Sequence, residues 1–156
     1  MKLRSDFVTN SSSSSFIVGF KCYPEDTDDK YSKFFSKIIS MILDSEGNCF
    51  ETSPAKIYNN LHELRKGFYK DYKNWCGNEH DSLDDMLANN EWIKKEYDAC
   101  VETLERGYSV AIKSVDYSDD ALEDMIRELP YITDDFILVK TEYWYESKNR
   151  FCHQFK

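Results

Sequence analysis

Residues 108–146 read YSVAIKSVDYSDDALEDMIRELPYITDDFILVKTEYWYE, and the fold turns on how this stretch is read. "YSVAIKSVDY" (108–117) is rich in β-branched and aromatic residues and predicts a strand. "SDDALEDMIRELP" (118–130) predicts a short helix. Ser118 caps its start, acids fill a first turn that favours negative charge, and Pro130 follows its end. "DFILVKTEYWYE" (135–146) predicts a long strand. Strand, helix and strand make a β-α-β crossover, expected to be right-handed with parallel strands. Its buried set should be Val110, Ile112, Leu122, Met125, Ile126, Ile137 and Val139. A turn, "SKNR", and a returning strand, "RFCHQF", close the chain with a hairpin.

Upstream lie three predicted helices and one more strand. "SFIVGFKCY" (15–23) has the composition of a strand. In 28–48 the apolar positions 31, 34, 35, 38, 39 and 42 follow helical spacing, with Asp28 or Asp29 to cap and Gly47 to stop. The segment from Ser53 to Trp75 starts with a possible N-cap and a proline at the first helical position. Its stripe is 57, 61, 64, 68 and 72, and Gly67 weakens its middle by about 1 kcal/mol relative to Ala. A third helix runs from about Leu83 to Arg106, with Gly107 terminating it and Asn89-Asn90 a possible break. Its inward stripe is Met86, Asn90, Ile93, Tyr97, Cys100 and Leu104. The expectation is a single α+β domain over 1–156. It has four helices and a mixed sheet of about four strands, in the order β-α-α-α-β-α-β-β.

Aromatic residues make up 15% of the chain, which argues for a packed core in spite of 31% charged residues. The N-terminus has no apolar core of the signal-peptide kind, and no run is long enough to span a membrane. Five scattered cysteines without a C-x-x-C pair are expected to be reduced thiols, which with the missing leader predicts a cytoplasmic protein. The net charge is −9, and it is unevenly placed: residues 1–80 balance 11 acids against 11 bases, whereas 81–156 hold 18 acids and 9 bases. That sign excludes a binder of bare nucleic acid backbone.

The N-terminal "RSDFVTNSSSSSFIVGF" (4–20) holds five consecutive serines between apolar anchors. Serine hydroxyls compete for backbone bonds, so the run cannot nucleate a helix. An extended segment on the sheet, with Asn10 in an Asx-type turn, is expected. Its motif "RSDFVTNSSSSSFI" resembles that of a set of small Firmicute and phage proteins over about the first 18 residues. The resemblance implies a kind of origin and carries no activity, so no catalytic residue follows from it.

The chemistry-bearing groups offer three readings. The first is a charged surface. Asp84, Glu91, Asp98, Glu102 and Glu105 fall on one line of the third helix, about 200° from its buried stripe. They fit a protein partner with a basic surface. The second is a basic-aromatic helix over 56–75. Arg65, Lys66, Lys70, Lys73 and Trp75 could hold an anion or a nucleotide base there. The third is the strand end at Asp116, where Asp119 and Asp120 could join it around a divalent cation in a small enzyme. Cys76, His80, Cys152 and His153 have no spacing that demands zinc, and no nucleophile or phosphate-loop motif occurs. The leading expectation is a non-enzymatic protein-binding chain that uses no cofactor or metal.

Overall fold

The computed structural model describes residues 13–46, 52–73, 80–116, 118–146 and 151–155. In chain order the elements are β1 (Ser13–Phe20), α1 (Lys30–Asp44), β2 (Lys56–Tyr58), α2 (Leu61–Lys73), α3 (Leu83–Asn89), α4 (Glu91–Glu105), β3 (Ser109–Asp116), α5 (Asp120–Ile132), β4 (Phe136–Glu146) and β5 (Phe151–Phe155). The class is α+β, with five helices among the described residues where four were expected. Chain contacts gather into two compact units, one of residues 1–56 and 111–156, the other of 57–110.

The strand order is β2-β3-β1-β4-β5. β1 runs antiparallel to β4, with a bulge between Ile17 and Val18, and β4 runs antiparallel to β5 in the expected hairpin. β3 and β4 share a sheet, but β1 is inserted between them. The two strands of the expected crossover therefore lie in one sheet but are not hydrogen-bonded neighbours, and β4 pairs with β1.

In the first unit, alternate residues of β1 (Phe16, Val18, Phe20) and β3 (Ala111, Val115) meet Phe35, Ile39, Ile42 and Leu43 of α1 and Ile126 of α5. This corrects the expected buried set. Val110, Ile112 and Ile126 are buried, but Met125 is 41% exposed and Leu122, Ile137 and Val139 are only half-buried. β3 is buried on both faces, so no alternation marks which side carries the helices. α5 begins after Asp119 and runs past Pro130 to Ile132. Pro130 withholds only the bond to the Ile126 carbonyl, and Thr133 N–H closes the last turn on Leu129.

The helix expected from Ser53 is replaced by β2 and a helix that starts at Leu61. Asn60 Oδ1 accepts the Glu63 N–H at 2.9 Å, and Glu63 Oε2 reaches back to the Asn59 N–H at 2.8 Å. This reciprocal cap is stronger than the Ser53-Pro54 signal. Leu64 and Phe68 are buried; Phe68 stacks on Tyr72 at 4.3 Å and meets Tyr97 edge-on at 5.3 Å.

The helix expected over 83–106 is two helices. Asn90 sits in extended backbone, and its side chain donates to the Met86 carbonyl at 3.0 Å, ending α3. Its own carbonyl accepts from Lys94 N–H and starts α4. α4 ends in a Schellman motif, in which Tyr108 N–H bonds Thr103 O, Gly107 N–H bonds Leu104 O, and Gly107 has φ 89°.

Candidate interaction surface

α4 sorts its residues by face. Ile93, Glu96, Tyr97, Cys100 and Thr103 are buried. Glu91, Asp98, Glu102 and Glu105 are exposed, as is Asp84 on α3. The four carboxylates of α4 span about 21 Å at 1.5 Å per residue. The fifth, Asp84, lies on a separate helix, so the expected unbroken line is interrupted at Asn90.

Three of these five carboxylates have cations beside them. Lys94 Nζ lies 2.6 Å from Asp98, Lys95 Nζ 3.3 Å from Glu91, and Arg65 3.2 Å from Asp84. All six side chains are half or more exposed, so each pair is worth a fraction of a kcal/mol and opens readily to a partner. At Glu102 and Glu105 no cation stands within ion-pair distance among the described residues. The surplus negative charge of the helix is therefore concentrated in its last two turns, where carboxylates oppose the helix dipole.

The basic-aromatic helix places its groups differently. On α2, Arg65, Lys66 and Lys70 are exposed, while Lys73 is half-buried with its Nζ 5.8 Å above the Tyr69 ring. The aromatic side chains turn inward. Tyr69 donates to the His80 carbonyl at 2.8 Å, and Tyr72 donates to Glu96, a carboxylate only 2% exposed, at 2.6 Å. Burial first, then that carboxylate, raises the Tyr72 hydroxyl pKa well above the ordinary value. Phe68 is buried, and Tyr69 and Tyr72 are half-buried with their hydroxyls engaged within the second unit. Trp75 and Cys76 lie outside the described residues.

His80 is held on both nitrogens. Nδ1 is 3.0 Å from Asp85 Oδ2 and Nε2 is 3.0 Å from Asn90 Nδ2. Because the amide donates, Nε2 accepts and the proton sits on Nδ1, directed at Asp85. The imidazole thereby ties the start of α3 to its end. Sequence reasoning missed this role, since only the spacing His80 to Asp85 to Asn90 signals it.

Asp116 ends β3 in the first unit and is 3% exposed. Its carboxylate accepts from Ser118 N–H at 2.9 Å and Ser118 Oγ at 2.5 Å. Its backbone N–H donates to Thr52 Oγ1 at 2.7 Å, and Thr52 donates in turn to Asp119. Ser118, expected as a helix cap, is instead a partner of Asp116. These atoms fix a turn. Among the described residues no three His, Cys, Asp or Glu side chains converge as metal ligands. Cys22 is exposed and Cys100 buried, and neither is in a disulfide among the described residues, while Cys49 lies outside the described residues. No described helix is long and apolar enough to cross a membrane. No protein family, curated protein or solved structure matches the chain.

Proposed function

We propose that this chain is a non-enzymatic protein-binding module whose working surface is the acidic face of α4. The observation that carries the reading is the segregation on that helix. Every one of its predicted acidic positions is exposed, while the opposite stripe is buried in the second unit. A basic protein surface fits such a face, because charge steers the encounter and like-charged surfaces are repelled. The resemblance of the N-terminal motif to Firmicute and phage proteins favours a host protein as the partner, in an anti-defence or host-modulating role.

The test is reversal of Asp98, Glu102 and Glu105 to Lys. All three are exposed, so each change should move stability by no more than about 0.5 kcal/mol. The tagged wild-type chain and the triple variant are used side by side to capture proteins from a bacterial lysate. A basic protein retained by wild type at low salt, released as screening rises, and absent with the triple variant is the expected result. Equal capture by both chains rejects the acidic face as the working surface.

A further inference from the structure

On the first unit, α1 and α5 expose apolar side chains along the flanks they turn toward each other. The two helices lie antiparallel on one face of the sheet. At one end, Tyr31 in the first turn of α1 bonds Thr133 just beyond α5. At the other, Lys113 Nζ is 2.6 Å from Ser45 O just beyond α1, and Thr52 bonds Asp119, the N-cap of α5.

At about 100° per residue, Tyr31, Phe34, Ile38 and Met41 form one flank of α1, beside the buried stripe of Phe35, Ile39 and Ile42. Tyr31 shows that this flank is the one turned toward α5. On α5 the corresponding flank holds Met125 and Ile132. In antiparallel right-handed helices on a common sheet, these flanks face each other. Phe34 is 66% exposed, Met41 58% and Ile132 77%, values unusual for residues of this size gathered in one place.

The rims of this apolar surface differ in sign. Lys30, Lys33 and Lys37 are exposed along the outer side of the α1 flank. Asp124 and Glu128 are exposed along the outer side of the α5 flank. A surface with an apolar centre, one basic rim and one acidic rim is complementary to itself. A two-fold axis along the line between the two helices places α1 of one copy over α5 of the other, so Lys meets Asp or Glu on both sides. The perpendicular two-fold would set lysines against lysines.

We infer that the occupant of this surface is a second copy of the chain, in an isologous dimer with α1 packed across α5 of its mate. Phe34 and Met41 of one copy seat on Ile132 and Met125 of the other. This interface lies on the first unit and is independent of the acidic face of α4.

Sedimentation velocity of the full chain from about 1 to about 100 µM tests it. The expected species is twice the 18.5 kDa chain mass. Phe34→Glu and Ile132→Glu, both at exposed positions, should each raise the dimer Kd at least about tenfold with unchanged circular dichroism. A charge exchange identifies the pairing. Lys33→Glu/Lys37→Glu makes both rims acidic, and Asp124→Lys/Glu128→Lys makes both basic. Each variant alone should be monomeric, and an equimolar mixture should recover the dimer. A wild-type chain that stays monomeric across the range overturns the inference. So does a dimer insensitive to Phe34→Glu and Ile132→Glu, or a mixture that fails to reassociate.

Discussion

Lys113 Nζ, on a side chain with no exposed surface, lies 2.5 Å from the carbonyl oxygen of Ser53. Its other donors reach Ser45 O at 2.6 Å and Leu43 O at 3.4 Å. One buried ammonium therefore serves the carbonyls that end α1 and one in the segment leading to β2. Burial pushes its pKa below the ordinary lysine value, while Asp44, Asp119 and Glu46 oppose that shift.

Lys113→Met keeps the length and the apolar stem but withdraws all three donors. The orphaned carbonyls cost about 1–3 kcal/mol each, offset by the desolvation no longer imposed on the ammonium. A net loss of about 3 kcal/mol in urea unfolding is expected. The pH dependence carries a sign. With the folded pKa below the unfolded one, the unfolded chain holds the extra proton between the two values. Wild-type stability therefore gains from this group as pH rises toward the unfolded lysine pKa. The variant should lack that component, as urea melts at successive alkaline pH values would reveal.

Gly67 is the second test. Helix propensity alone says Gly67→Ala should stabilise by about 1 kcal/mol. A Cβ at Gly67 would stand 2.7 Å from Tyr58 Cε1. Tyr58 is 3% exposed, and its hydroxyl donates to Asp71 at 2.7 Å, so the ring has little freedom to retreat. The clash should win, with Gly67→Ala lowering stability by about 1–3 kcal/mol. A rise in Tm would show that the ring shifts at little cost.

The contrast at Gly67 shows what the sequence holds and what it hides. Periodicity placed α1 and the buried Ile93, Tyr97 and Cys100 of α4, because those side chains recur on one helical face. Turn chemistry placed Gly107. The Ser53-Pro54 signal misled because the decisive partners of that segment are distant. Lys113 holds the Ser53 carbonyl and Leu43 holds the Ala55 N–H. Insertion of β1 between β3 and β4 was illegible for a similar reason, since pairing over such separations leaves no local pattern. The exposure of Glu91, Asp98, Glu102 and Glu105 needed only a helical period and was legible. The apolar surface between α1 and α5 was not, because Phe34 and Met125 read as core residues until both helices are placed.

Tyr72 and Glu96 supply a third expectation. Tyr72→Phe removes the donor at 2.6 Å from a buried carboxylate, which should cost about 1–3 kcal/mol in urea unfolding. The raised hydroxyl pKa also fixes a direction. The neutral tyrosine belongs to the folded state, so its contribution is fully present below the unfolded value near 10 and is lost as pH climbs toward the folded one. Wild type should lose stability in that alkaline window more steeply than Tyr72→Phe. Parallel alkaline profiles for the two chains would assign no such role to the Tyr72 hydroxyl.

Ser14 tests the reading of the serine run. The segment before Ser13 lies outside the described residues, but Ser13, Ser14 and Ser15 belong to β1, opposite Trp144, Tyr143 and Glu142 of β4. Ser14 is 2% exposed. A phosphate at Ser14 would bring up to two negative charges into a strand covered on both edges by β3 and β4. Ser14→Asp should therefore destabilise the chain by about 3 kcal/mol or more, as expected for a buried charge without a partner. The same change at Ser36, exposed on α1, should stay within about 0.5 kcal/mol. The comparison separates a strand built from serines from a modifiable tail. Equal melting temperatures for Ser14→Asp and Ser36→Asp would mean that the start of β1 opens freely, and that Ser14 is accessible to a kinase in the folded protein.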